Sequence, residues 1–312
     1  MKKSLIYTLL AVALLLPAVA QAASPQRNIR KQPVKMKKEL CLQLYSVRSL
    51  LNGVNADGKA SADWTALLKR LHNMGYTSVE AANYDNGKGT FYNRKPKDFK
   101  ADIEGAGMKM LSSHVSHNLS DAELASGDYS EALKWWKKTI ADHKAAGIPF
   151  IVDPWIGKQK SLHDLDVYCR YLNAVGEMCR KEGISFGYHN HDYEFAKVEG
   201  QVMYDYMLTH TDAQNVFFQM DMYWIVRGGC SPVEYFKRYP GRFHMFHCKD
   251  HREIGQSGMV GWDAIFRNAK TAGLQYIVAE IEQCTMPVEE SVAVSARYLL
   301  QQPFVKASYV AK

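Results

Sequence analysis

Residues 186–195 read FGYHNHDYEF, and this stretch decides how the rest of the chain is interpreted. Its first six residues belong to a run, Ser185–His191, that has the character of a β-strand. Side chains alternate along a strand, so His189 and His191 point to the same side, and the carboxyl group of Glu194 follows closely. Three later strand-like runs also end in metal-binding residue types, namely Asp221, His247 and Glu280. Four such ends in one chain predict a divalent metal at the mouth of a barrel.

Strand-like and helix-like runs alternate eight times along the chain. The predicted strands are Leu40–Tyr45, Ser78–Ala81, Met108–His114, Pro149–Trp155, Ser185–His191, Val216–Asp221, Phe243–Lys249 and Tyr276–Glu282. The predicted helices are Ala62–Met74, Pro96–Ala106, Asp128–Ala146, Leu162–Glu182, Val202–His210, Pro232–Tyr239, Trp262–Ala272 and Val288–Leu300. Strict alternation implies a parallel sheet, and eight units predict an α/β fold, a single (β/α)8 barrel. A doubly wound sheet is the alternative, but the chain has no GxGxxG turn.

The first residues have the pattern of a secretory signal peptide. Lys2 and Lys3 precede the apolar run Leu5–Leu16, which is too short for a secure membrane span, and Ala20-Gln21-Ala22 forms a small-x-small cleavage site. We therefore expect a signal peptide over 1–22, a basic linker over 23–38, the barrel over 39–302 and a tail over 303–312. This organisation predicts an exported protein, periplasmic or secreted, without a stable membrane anchor.

Charge argues against a nucleic-acid partner. The formal net charge is +7, but eight basic residues and no acidic residue precede position 39. The predicted barrel is therefore close to neutral and shows no electrostatic footprint for nucleic acid. Six cysteines lack CxxC spacing, and most are interpreted as small buried apolar residues. They are Cys41, Cys169, Cys179, Cys230, Cys248 and Cys284. A homo-oligomer is left open.

The predicted metal ligands are His189, Asp221, His247 and Glu280, because they end strands five to eight, where barrels place their chemistry. Mixed imidazole and carboxylate ligands suit manganese, iron, cobalt or zinc better than magnesium or calcium. We expect manganese first, with zinc, cobalt, iron or magnesium as alternatives. His191 or Glu194 can replace His189 as the first ligand. Such an ion can hold sugar oxygens and stabilise an enediolate.

Other polar residues near the strand ends are candidates for catalysis or substrate binding. Glu280, Glu282 and His191 are the candidate bases, and Lys249 either stabilises an oxyanion or forms a buried ion pair with Asp250 or Asp221. The candidate substrate contacts are Glu80, His114, Trp155, Glu194 and Trp224. The aromatic residues Tyr45, Tyr188 and Tyr223 also lie near strand ends. A glycine-rich segment, residues 255–261, is either a mobile lid or a plain turn.

Five segments together resemble the xylose isomerase-like TIM barrels, a family usually labelled sugar phosphate isomerase/epimerase. They are residues 42–48 (LQLYSVR), 188–195 (YHNHDYEF), 220–224 (MDMYW), 228–229 (GG) and 246–250 (FHCKD). The resemblance implies a manganese-type site in which Asp221, His247 and Glu280 match the last three positions of a Glu–Asp–His–Glu set. His189 stands where many relatives have glutamate. The His-Asn-His pattern is also similar to enzymes that cleave 3-keto-glycosides.

These observations support one principal hypothesis and three alternatives. The principal hypothesis is an exported, metal-dependent enzyme that removes a proton next to the carbonyl of a neutral sugar or keto-sugar, giving isomerisation or epimerisation. The first alternative is a 3-keto-glycoside lyase or hydrolase that releases an aglycone. The second is a non-catalytic sugar-binding barrel, and the third is a glycosidase that uses Glu80 with Glu280.

Overall fold

The computed structural model describes residues 38–51 and 62–310. The predicted signal peptide over 1–22 and almost all of the predicted linker over 23–38 lie outside these residues. No helix in the described ranges is long and apolar enough to cross a membrane.

Eight parallel strands form a closed barrel, which confirms the predicted fold. They are β1 (Cys41–Gln43), β2 (Ser78–Ala81), β3 (Lys109–His114), β4 (Phe150–Asp153), β5 (Ser185–His189), β6 (Val216–Asp221), β7 (Met245–Lys249) and β8 (Tyr276–Glu280). Each strand pairs with its neighbours in chain order, and β1 closes the barrel against β8 through Cys41 opposite Val278. All carboxyl ends of the strands therefore meet at one rim.

Helices surround the barrel between the strands. They are α1 (Ala62–Asn73), α2 (Pro96–Gly105), α3 (Asp121–Ser126), α4 (Ser130–Ala145), α5 (Leu162–Lys181), α6 (Met203–His210), α7 (Met222–Arg227), α8 (Pro232–Arg238), α9 (Trp262–Arg267), α10 (Ala269–Ala272) and α11 (Val288–Gln301). Two small antiparallel hairpins stand in the loops, one pairing Tyr84–Asp85 with Thr90–Phe91 and one pairing Lys197–Val198 with Gln201–Val202.

The structure corrects several predicted boundaries at the carboxyl rim. The first strand ends at Gln43 because a 3-10 helix over Leu44–Leu50 starts there, and the Gln43 side chain accepts a hydrogen bond from the Tyr45 backbone N–H. The strand that carries the histidines ends at His189 rather than His191. Helix α7 was not predicted; it starts directly after Asp221, whose Oδ1 caps it by accepting the N–H of Trp224.

The barrel interior is apolar at its amino end and polar at its carboxyl end. Phe150, Phe217 and Met245 belong to the buried apolar layer inside the barrel. Gly187 leaves space for this layer, because a Cβ atom at that position would lie 2.6 Å from the Phe217 ring. The polar layer above it contains Gln43, Glu80, Ser112, Gln219 and His247, all fully buried. The polar side chains inside the barrel therefore lie at the carboxyl ends of the strands.

The segment predicted as a tail packs against the barrel as far as it is described. Val305 is buried, and Phe304 and Tyr309 lie beside the Phe266 ring. The backbone N–H of Glu39 donates to the carbonyl of Ala307, which fixes the segment next to the start of β1. All six cysteines are free, and four of them are buried, in agreement with the prediction.

Candidate metal centre and active site

A cavity of about 640 Å³ opens at the carboxyl ends of the strands. Its walls include seven of the predicted site residues, which come from β3, β5, β8 and α7 and from the loops that follow the strands. They are His114, His189, His191, Trp155, Trp224, Glu280 and Glu282. The rim thus gathers residues that are up to 168 positions apart in the sequence, from His114 to Glu282.

Two groups of three residues place their ligand atoms close enough together to hold one metal ion. The first group is Asp221, His247 and Glu280, and the second is His114, His189 and His247. Within each group the ligand atoms lie within 4.8 Å of one another. Three of the four predicted ligands therefore come together as expected, whereas His189 is grouped with His114 on the other side of His247.

Asp221 and His247 are aligned by their strands and by a neighbouring amide. They are register partners on β6 and β7, and His247 Nδ1 lies 3.0 Å from Asp221 Oδ2. The Asn190 side-chain oxygen accepts the backbone N–H of Asp221 at 3.0 Å and also the hydroxyl hydrogen of Tyr204. Asn190, the middle residue of His-Asn-His, therefore holds the end of β6 in place.

Glu80 lies under the ligand cluster and is completely buried. Its Oε1 lies 3.1 Å from His114 Nε2 and 3.5 Å from His247 Nε2. Burial alone would raise the pKa of Glu80, but the charges and hydrogen bonds of His114 and His247 outweigh it and hold that pKa well below its usual value. Glu80 is not among the described residues that line the cavity, and its predicted substrate contact and the glycosidase pairing with Glu280 stay predictions.

The donor set fits a divalent cation. Asp221, Glu280 and Glu80 place three carboxyl groups around the single imidazole of His247. Burial disfavours a charge on His247, but the hydrogen bonds that its ring donates to Asp221 and Glu80 and the charge of Glu280 raise its pKa well above the usual value. The pocket thus stabilises positive charge at this point. Because Nδ1 faces Asp221 and Nε2 faces Glu80, Glu80 can orient the imidazole from behind, as carboxylates behind metal-binding histidines do.

Gln219 determines which nitrogen of His189 is available. Its Nε2 donates to Glu80 at 2.7 Å, which leaves Oε1 to accept from His114 Nε2 at 2.7 Å and from His189 Nδ1 at 3.1 Å. Burial lowers the pKa of His189 well below its usual value, and repulsion from His247 and His114 adds to this. His189 is therefore neutral with its proton on Nδ1, and Nε2 keeps a free lone pair.

His191 stands in the cavity wall between aromatic rings. The ring centroids of Trp155 and Trp224 lie 5.2 and 5.5 Å from that of His191. Its Nδ1 is buried and has no hydrogen-bond partner within the described part of the chain. Burial lowers the pKa of His191, so the imidazole is neutral and able to accept a proton.

Glu194 lies behind His191 and outside the cavity wall. Oε2 accepts the backbone N–H of His191 at 2.9 Å, and Oε1 accepts the hydroxyl hydrogen of Tyr188 at 2.7 Å. Burial raises the pKa of Glu194 to about 7. Both oxygens are engaged, so Glu194 holds the His191 loop; its predicted roles as a substrate contact or first ligand stay predictions. Tyr188, expected at the mouth, is completely buried beside it.

Lys249 forms the predicted buried ion pair, but with other partners. Its Nζ lies 3.1 Å from a carboxylate oxygen of Glu280 and 2.6 Å from one of Glu282, whereas the described residues show no ion pair between Lys249 and Asp250 or Asp221. Burial lowers the pKa of Lys249, but the charges of Glu280, Asp221 and Glu282 outweigh it and raise that pKa. Lys249 therefore stays protonated, helps to lower the pKa of Glu280 and holds the two glutamates close together.

Asp250 organises the glycine-rich loop instead. Its carboxylate accepts the Ser257 hydroxyl, the backbone N–H of Gly255 and the indole N–H of Trp262. The loop is further fixed by Ile254, whose N–H donates to Ser295. These contacts favour a fixed turn over a mobile lid.

Several residues of the site were not predicted. Gln43, Ser112 and Gln219 surround Glu80, and Asn190 supports Asp221. Asp153 ends β4 and is completely buried. Its Oδ1 accepts the Ser116 hydroxyl at 2.7 Å, its Oδ2 has no partner among the described residues, and burial raises its pKa to about 7. The one available signal was position, because Asp153 lies two residues before the end of the predicted strand Pro149–Trp155.

Residues 68–302 match the family described as xylose isomerase-like TIM barrel. The chain belongs to this family. Two solved structures of sugar phosphate isomerase/epimerases from Parabacteroides distasonis are similar to it. One is 32% identical, covers 86% of this chain and 98% of its own, and superposes with a TM-score of 0.77. The other is 33% identical, covers 86% of this chain and 100% of its own, with a TM-score of 0.76.

More distant structures share the fold alone. The IOLI protein with a bound zinc atom is 17% identical, covers 83% of this chain and 95% of its own, and has a TM-score of 0.59. No curated protein matches the sequence. The family match and the two similar structures therefore place this chain among the xylose isomerase-like TIM barrels. The reaction has to be inferred from the residues of its own cavity.

Proposed function

We propose that this chain is a divalent-metal-dependent sugar isomerase or epimerase that removes and returns a proton next to a carbonyl. The observation that carries the proposal is the Asp221–His247–Glu280 cluster, which meets at the mouth of the barrel beside the unpaired nitrogen of His191. Sugar isomerase/epimerase relatives support the same class.

Asp221, His247 and Glu280 would hold the ion, and His189 Nε2 is the remaining nearby donor. Manganese is our first expectation, with zinc, cobalt, iron or magnesium as alternatives, because the set combines imidazole with carboxylate. When bound, the ion supplies Lewis-acid polarisation of substrate oxygens. The zinc of the IOLI protein agrees with a divalent ion in this fold, without fixing its identity here.

The chain's own residues supply the proton transfer. His191 is neutral, lines the cavity and has a free Nδ1, so it can accept a proton from a sugar carbon. Glu282 lines the same cavity and lies 2.6 Å from Lys249 Nζ, which makes it the second candidate. Lys249 holds Glu280 and Glu282 in position and supplies positive charge near the reacting oxygens.

A neutral sugar suits the cavity better than a phosphate. None of the described residues that line it is a lysine or arginine, whereas Trp155 and Trp224 offer aromatic faces. Trp155 is 46% exposed, which leaves its ring available for a ligand. An exported protein, as residues 1–22 predict, would also meet neutral sugars and glycosides rather than sugar phosphates.

A 3-keto-glycoside lyase or hydrolase is the second candidate. The observation that favours it is His189, which stands where the family resemblance places a glutamate. Without that carboxylate the site offers fewer groups to return a proton on the opposite face of the carbon. Proton removal by His191 would then be followed by loss of the aglycone.

The test is proton exchange in D₂O, followed by NMR. The protein is loaded with Mn²⁺ and incubated with free ketoses, aldoses and 3-keto-glycosides. Deuterium in a recovered or isomerised sugar supports the isomerase or epimerase, and aglycone release supports the second candidate. No exchange with any substrate in metal-loaded protein would leave a non-catalytic sugar-binding barrel.

Two variants sharpen this experiment. Asp221→Asn should abolish both metal content and exchange, because it removes a charged ligand. Asp205→Asn is the matched control, since Asp205 is a surface residue paired with Arg238 at 2.9 Å. Full activity in Asp221→Asn would refute the site.

A further inference from the structure

A second cavity of about 530 Å³ adjoins the active-site cavity. Tyr45, Ala82 and Asn83 line both, so the two spaces share a wall. The active-site cavity alone, at about 640 Å³, already has an ordinary size for a small-molecule site, since such sites span about 300–1,000 Å³. One sugar ring therefore fits the first cavity and leaves the second free for another group.

The second cavity is lined by hydrogen-bonding groups suited to sugar hydroxyls. Asn83 and Asn93 are exposed, and neither side-chain amide makes a hydrogen bond within the described ranges. Asp85 adds a carboxylate whose oxygens also contact Lys88. Amides can both donate and accept, as hydroxyl groups require.

Tyr45 forms an aromatic platform between the two cavities. Its ring is 41% exposed, and the Arg48 guanidinium carbon lies 4.1 Å from the ring centroid. Arg48 in turn donates to the carbonyl oxygens of Tyr45 at 2.9 Å and Glu282 at 3.3 Å. The ring is therefore held in position next to a residue of the active-site cavity. An exposed, fixed aromatic face suits packing against a sugar ring.

The backbone beside the second cavity is strained. Tyr92 and Asn93 have φ angles of 51° and 61°, in the left-handed region that residues other than glycine seldom adopt. The Tyr92 hydroxyl accepts the backbone N–H of Ala82 at 2.9 Å, which ties this turn to the shared wall. Strain of this kind is commonly kept where a ligand is bound, and here it sets Asn93 in the wall of the cavity.

We propose that the second cavity is a subsite for a second ring, so that the substrate is a disaccharide or a glycoside with a ring-sized aglycone. This inference rests on the proposed function. The reacting ring lies beside His191, while the second ring packs on Tyr45 and hydrogen-bonds to Asn93.

Binding and turnover are measured on the full chain loaded with Mn²⁺, using one-ring and two-ring probes with the same reacting sugar. Fructose is compared with lactulose, and 3-keto-glucose with its phenyl glycoside. Calorimetry gives the affinities, and NMR gives kcat/KM. We expect each two-ring probe to bind at least about fivefold more tightly than its one-ring partner, as one aromatic contact allows.

Three variants locate this gain. Tyr45→Ala should lose about fivefold in affinity for the two-ring probes, and Tyr45→Phe, which keeps the ring, should retain it. Asn93→Gly removes the amide while glycine keeps the positive φ, so it should weaken only the two-ring probes.

The outcomes separate this inference from the proposed function. Absence of turnover with intact two-ring binding refutes the enzyme and supports the subsite. Three outcomes that accompany turnover refute the subsite alone. They are equal affinity for one-ring and two-ring probes, an equal loss of affinity for both probe sizes in Asn93→Gly, and no binding of the two-ring probes.

Discussion

Replacing Glu80 with glutamine tests whether the buried polar layer requires a carboxylate. Glu80 accepts hydrogen bonds from Gln43 Nε2 at 2.8 Å, Ser112 Oγ at 2.5 Å, Gln219 Nε2 at 2.7 Å and His114 Nε2 at 3.1 Å. Glutamine has the same shape, but one of its two terminal atoms is a donor. Glu80→Gln therefore changes hydrogen-bonding capacity and charge without opening a cavity.

Neither orientation of the new amide satisfies its neighbours. A nitrogen in place of Oε2 faces Gln219 Nε2, and that amide cannot turn without losing its bonds from His114 and His189. A nitrogen in place of Oε1 faces Gln43 Nε2, and Gln43 is fixed because its oxygen accepts the Tyr45 N–H. Loss of the buried charge and one donor-to-donor contact should destabilise the fold by about 3–5 kcal/mol.

Urea unfolding at pH 7 checks this value, and a thermal scan should show Tm falling by about 10 °C, since each kcal/mol corresponds to about 2–4 °C in a chain of this size. Ser112→Ala is the matched control: it removes a single donor and leaves the carboxylate, so it should cost about 1 kcal/mol. If Glu80→Gln loses no more stability than Ser112→Ala, the carboxylate does not organise the polar layer.

Packing, pH and metal give three more expected outcomes. Gly176→Ala should destabilise α5 by about 1–3 kcal/mol by urea unfolding, since the new Cβ would lie 2.1 Å from the Asn215 carbonyl oxygen, whereas Gly105→Ala, with open space, should be near neutral. Burial raises the pKa of Asp153 to about 7. The stability that its proton contributes is therefore fully present below about pH 4 and is lost as the pH rises through 7. Between pH 5 and pH 8, the free energy of unfolding of Asp153→Asn should increase by about 1–3 kcal/mol relative to that of the wild type. Mn²⁺ at 100 times its Kd should stabilise the wild type by about 2.7 kcal/mol in thermal unfolding, EDTA should reverse this, and Asp221→Asn should not respond.

The sequence predicted the barrel well because its signals are local and repeated. Each strand is a short apolar run, and glycines such as Gly107 and Gly147 end helices with positive φ just before the next strand. Two helices that escaped prediction begin at a side-chain cap. Helix α7 depends on Asp221 capping Trp224, and the 3-10 helix after β1 depends on Gln43. The same residues could also continue the preceding strand, so the sequence does not show that a helix begins at the cap.

The site was predicted where strand ends carry ligand-type residues and missed where polar residues lie inside strands. Both faces of a barrel strand are buried, so alternation does not show which face of β6 carries Gln219. The partners of Lys249 were wrong for a related reason. Proximity in sequence favoured Asp250, but the parallel register sets Lys249 opposite Glu280.

The histidine at position 189 changes the electrostatics of the site more than its geometry. A carboxylate there would add a fourth buried negative charge to Glu80, Asp221 and Glu280. With His189 neutral, three carboxylates remain, and Lys249 already pairs with one of them. On the proposed function, a lower negative charge disfavours magnesium and calcium relative to ions that also accept nitrogen ligands. Gln219 completes this choice, because by accepting a hydrogen bond from Nδ1 it leaves the lone pair of His189 on Nε2.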